Sequence, residues 1–81
     1  MSVQISHLEQ DWLHAETLAD KARYEAQAVE AKRRVARDEI EIRILASNVE
    51  MARARLAKAD KAAAETFDRL WDAKTQGHMN A

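Results

Sequence analysis

The sequence predicts an all-α fold: an antiparallel helical hairpin with a coiled-coil-like, alanine-rich seam. Three observations carry this expectation. Apolar residues recur at alternating steps of three and four along most of the chain, the spacing that lines one stripe of a helix. There is one glycine, Gly77, and no proline or cysteine, so the punctuation of strands and tight turns is missing. The apolar repeat loses its phase once, within RRVARDEIEIRIL at residues 33–45, where a chain folding back would start a second helix.

The first helix is expected over about residues 6–36. Ser6 followed by Glu9 is the spacing of a capping box, in which each side chain accepts from the other residue's amide. The seam then runs Ile5, Leu8, Trp12, Ala15, Ala19, Ala22, Ala26, Val29, Arg33, Ala36. Extending it would bury Arg43, Ser47 and Glu50, so the chain is expected to turn at about 37–38. Asp38 with Glu41 offers a second capping box at that point.

The second helix is expected over about 39–76, with the seam Ile42, Leu45, Val49, Ala52, Leu56, Ala59, Ala63, Thr66, Leu70, Ala73. Lys74 and Gly77 suggest its stop, and residues 77–81 a frayed tail. The whole chain, 1–81, reads as a single helical domain. Two other arrangements fit the same periodicity. A later turn at Ser47–Asn48 would use Glu50 for its cap, and an unbroken coiled-coil rod would span on the order of 100 Å at ~1.5 Å per residue.

For the early turn, facing residue numbers should add to about 75. That register sets Ile5 against Leu70, Trp12 against Ala63, Ala19 against Leu56 and Ala26 against Val49. It also brings Asp20 near Arg55 and Arg34 near Glu41.

Composition narrows the function. With 13 basic and 14 acidic residues the net charge is −1, which gives no general attraction to nucleic acid or anionic lipid. The absence of cysteine excludes disulfides, thiolate metal sites and a catalytic thiol. No apolar run approaches the ~20 residues of a membrane span, and the opening segment lacks the pattern of a secretory signal. A cytoplasmic location is expected. His7, Asp11 and His14 share a helix face, but a metal site needs about four ligands, and they read as exposed polar residues. No cofactor, metal or enzymatic activity is expected.

A two-helix hairpin has little interior, and a buried alanine methyl contributes only about 0.8 kcal/mol. Many apolar residues also fall off the seam, and a monomer would leave them in water. Pairing into a four-helix bundle would cover them, so a homodimer is expected, with Tyr24, Val35, Ile40, Ile44 and Met51 as interface candidates.

At the open end Leu8, Trp12, Leu13, Phe67 and Trp71 gather three of the four aromatic residues. They are the candidates for binding a larger protein, with Glu9, Asp11 and Asp72 as an acidic rim. The functional expectation is a small non-enzymatic interaction module that modulates or inhibits that protein: a regulator, inhibitor or adaptor of the kind carried by phages or plasmids. The predicted architecture also resembles the RNA-binding hairpin dimers of Rop-type plasmid copy-number regulators. That resemblance is one of architecture and rests on no shared residues. It implies nucleic-acid binding as an alternative, which the interspersed carboxylates disfavour. A structural coiled-coil scaffold is the other alternative.

Overall fold

The computed structural model describes the backbone of residues 2–79 and the side chains of 5–76. It contains two helices, α1 (Ser2–Val35) and α2 (Glu39–Met79), packed against each other as an antiparallel hairpin. The Cα atoms span 63 × 14 × 12 Å, which matches the length of α2 at ~1.5 Å per residue. The unbroken rod and the later turn are both ruled out.

The turn is made without glycine. Residues 36–38 link the helices, and no described residue has a positive φ. The Ala36 amide donates to the Arg33 carbonyl at 3.3 Å, tightening the last turn of α1. Asp38 then opens α2 as its cap residue, its carbonyl accepting from the Ile42 amide at 2.9 Å. The expected side-chain exchange between Asp38 and Glu41 does not form.

Charge explains why the break falls here. Lys32, Arg33 and Arg34 occupy the last turn of α1, and Glu39 and Glu41 the first turn of α2. Cations at a helix C-terminus and carboxylates at an N-terminus each favour the exposed peptide dipoles, by roughly 0.3–1 kcal/mol.

Both outer helix ends depart from expectation. Helix α1 begins at Ser2, so Ser6 lies inside it and does not cap it. Nothing N-terminal to Ser6 interrupts a helix, and Ile5 is half-buried, so continuing the helix gains contact with α2. At the other end Gly77 lies within α2 and has no positive φ; it does not form a left-handed stop. The expected tail lies partly outside the described residues, which show helix as far as Met79.

The core is narrow and built mostly of methyl groups. Among the described residues the buried positions are Ala15, Ala19, Ala26, Leu45, Val49, Ala52, Ala63 and Leu70. All belong to the seams predicted from periodicity. The α1 seam weakens towards the turn, where it offers Arg33 and Ala36 and no large apolar side chain, so Arg33 is exposed and Ile42 of α2 is left 37 % exposed. Thr66, the polar member of the seam, donates its hydroxyl to the Ala62 and Ala63 carbonyls, which satisfies it without a cross-helix partner.

The facing register differs from the predicted one by about three residues. Ala15 and Ala19 pack with Ala63 and Ala59, where the expectation set Trp12 against Ala63 and Ala19 against Leu56. Alanine therefore meets alanine in this layer, and the backbones can approach towards the ~8 Å limit of helix packing. The anticipated neighbours Asp20–Arg55 and Arg34–Glu41 form no ion pair.

Candidate interaction surfaces

A packed pair of helices has two broad faces, one on each side of the plane through both axes. Here the two faces differ in chemistry. One carries three ion pairs between the helices: Glu9–Lys74 at 3.2 Å, Arg23–Asp60 at 3.3 Å and Glu30–Arg53 at 2.7 Å. Arg23 also holds Asp20 one turn away at 3.0 Å, and Arg53 donates a second bond to Glu30 through Nε at 2.9 Å. Glu9, Arg23 and Glu30 recur at multiples of seven, as do Arg53, Asp60 and Lys74, so each set occupies one heptad position beside the seam. Exposed pairs of this kind contribute roughly 0.2–1 kcal/mol each. Their larger effect is to fix which residues lie opposite one another.

At the open end of this ion-paired face the rings of Trp12 and Phe67 meet, with centroids 5.8 Å apart and planes tilted by 58°. That geometry suits the aromatic quadrupoles. Trp12 is half-buried on the seam, whereas Phe67 is 45 % exposed. Trp71, one turn beyond Phe67, is 60 % exposed and Leu13, one turn beyond Glu9, 56 %. Leu8 is half-buried on the seam. The aromatic pairing that the turn position implied is therefore present, but the acidic rim is not. Glu9 is engaged by Lys74, and Asp11 lies on the opposite face.

The opposite face is open. A groove of about 550 Å³ runs along it, floored by Ala15, Ala59 and Ala62, walled by Leu18 and rimmed by Asp11, His14, Arg55, Lys58 and Arg69. Arg55 also rims a second groove of about 330 Å³, which continues towards the turn between Glu25, Val29, Asn48, Met51 and Ala52. Among the described residues no ion pair joins the two helices on this face. Asp11 and Arg69 border one groove and Glu25 and Arg55 the other, without direct contact.

The interface candidates divide between surfaces. Met51 lines the second groove at 51 % exposure, and Ile44, one heptad earlier, is 57 % exposed. Val35 shares the heptad position of His14 and is 76 % exposed. Tyr24 and Ile40 are also exposed, but their heptad positions lie opposite the seam, on the outer backs of the helices. Sequence reasoning left Leu18, Arg55 and Arg69 out of the site. The seven-residue spacing of Arg55, Ala62 and Arg69 was the available signal.

No group of three or more potential metal ligands occurs among the described residues. His14 and Asp11 stand instead beside Arg55, Lys58 and Arg69, whose positive charge would oppose a bound cation. Among the described residues no helix is long and apolar enough to cross a membrane. Compared with known protein families, curated proteins and solved structures, the chain matches none.

Proposed function

We propose that the protein is a non-enzymatic interaction module that binds a larger protein through the aromatic end of its ion-paired face and thereby modulates or inhibits it. The supporting observation is the exposure of Trp71 and Phe67, at 60 % and 45 %, beside a Trp12 ring held in the seam. Tryptophan dominates binding energy more often than most residues, with ~2 kcal/mol or more lost on truncation at a contact. A Trp12 held by packing presents the neighbouring rings on a stiff base, which lowers the ordering cost of binding. The groove cations leave nucleic-acid binding as the second reading, favoured by the gathering of Arg55, Lys58 and Arg69.

The test is capture from the native host by wild type and by Trp71→Ala and Phe67→Ala, with thermal melts in parallel. Trp71→Ala should leave stability within about 0.5 kcal/mol, as for other exposed positions. It should weaken capture roughly thirtyfold, the equivalent of ~2 kcal/mol. Undiminished capture alongside a lowered melting temperature would assign these rings to the core and end this reading.

A further inference from the structure

From the open face we infer that a second copy of this chain covers it in parallel orientation, with both turns at the same end of a four-helix bundle. The first argument is the contrast between faces. Three ion pairs span one side of the seam, where a smaller groove of about 270 Å³ remains between Glu30, Arg33, Arg34 and Arg53 beside the turn. On the other side the apolar residues Leu18, Met51 and Ile44 lie 47–57 % exposed between charges that reach no partner across the helices. The face measures 63 Å by 14 Å between Cα atoms, so covering its full length would involve on the order of 800 Å² per copy, the size of a standard stable interface.

Charge selects the second copy and its orientation. A two-fold axis along the hairpin sets α1 of one copy against α2 of the other at the same height. Asp11 and Arg69 stand at one height beside the first groove, and Glu25 and Arg55 at one height beside the second. The axis therefore brings Asp11 to Arg69 of the partner subunit and Glu25 to Arg55 of the partner subunit, each twice. It also sets Met51 against Ala28 of the partner subunit and Ile44 against Val35 of the partner subunit. One like-charge pair results, Lys21 with Lys58 of the partner subunit, both exposed at the rim.

The alternative two-fold, across the hairpin, sets α2 against its own copy running the other way. Lys58 lies near the middle of α2, so full overlap would superpose it on Lys58 of the partner subunit, with both Arg55 guanidiniums close by. Both arrangements bring lysines together at the rim, but the antiparallel one also sets Met51 against Glu65 of the partner subunit and Ile44 against Asp72 of the partner subunit, covering carboxylates with apolar groups that give them no partner. The parallel arrangement leaves the Trp12–Phe67–Trp71 surface uncovered on the far side of each hairpin.

Two measurements test this. Sedimentation equilibrium of the wild type should give a dimer, and Met51→Glu should raise its dissociation constant at least tenfold while far-ultraviolet circular dichroism keeps the helical signal. Because the chain has no cysteine, a spin label at Arg37→Cys reports the turn of each copy alone. The labels should lie about 20 Å apart in the parallel dimer and about 60 Å apart in the antiparallel one, from ~1.5 Å per residue along each helix. Three results would overturn the proposal. They are a helical wild type that stays monomeric at 100-fold dilution steps up to the millimolar range, a dimer with the long label distance, or a monomer that binds duplex RNA and loses that binding on Arg55→Glu.

Discussion

Replacing Val49 with alanine sets burial against helix propensity at one position. Val49 is 1 % exposed, the largest side chain so fully enclosed, and it sits where the α2 seam meets the second half of α1. Deleting two methyl groups loses about 1.6 kcal/mol of transfer free energy at ~0.8 kcal/mol each. The incompletely closed space left behind adds to this. Alanine, however, is the better helix former by roughly 0.5 kcal/mol. Burial wins, and the net loss is about 1–2 kcal/mol. At 4–8 °C per kcal/mol for a domain of this size, the melting temperature should fall by roughly 5–15 °C. Thermal and urea melts followed by circular dichroism measure it, at one fixed chain concentration, because an associating protein melts higher when concentrated. Val29→Ala removes the same atoms from a half-buried site and should cost less. A Val49→Ala chain as stable as wild type would show that propensity and not the seam holds α2 in place.

Other expectations follow from the ion-paired face and the turn. Glu30→Gln removes the negative charge facing Arg53 while keeping an amide oxygen that can accept, and should cost up to about 1 kcal/mol, with the difference shrinking at high salt because the pair is partly exposed; a cost unchanged by salt would show that packing and not charge is involved. Spin labels at Glu9 and Asp68 in one chain, diluted with unlabelled chain, should lie within on the order of 20 Å, whereas a separation near 90 Å would restore the continuous rod. Two glycines inserted after Arg37 should lower stability by only about 1 kcal/mol, since lengthening a surface link adds little closure entropy; a loss of helical signal in that variant would mean that the 36–38 link itself dictates the hairpin.

Each helix was legible in the sequence because its seam is a local property. Alternating steps of three and four define a stripe whatever the stripe meets, so the buried alanines, Leu45, Val49 and Leu70 could be named from spacing alone. The break near Arg37 was legible for a similar reason: no single register kept Arg43 and Glu50 out of the core. The helix ends were not. Ser6 and Gly77 carry the chemistry of a cap and a stop, but such preferences amount to about 1 kcal/mol, which contacts with the facing helix can exceed.

The tertiary structure alone decided the offset between the helices and the division of the off-seam residues. A heptad fixes a face on one helix but says nothing of how far the other helix slides along it. A three-residue link and a layer of facing alanines moved the register by about three positions from the one inferred. Glu9 and Asp11 are two residues apart and looked like one acidic rim. They flank the α1 seam on opposite sides, so packing α2 against that seam sent Glu9 to Lys74 on one face and Asp11 to the groove on the other. Which side of a seam a residue occupies has no consequence until a second helix arrives to separate the sides.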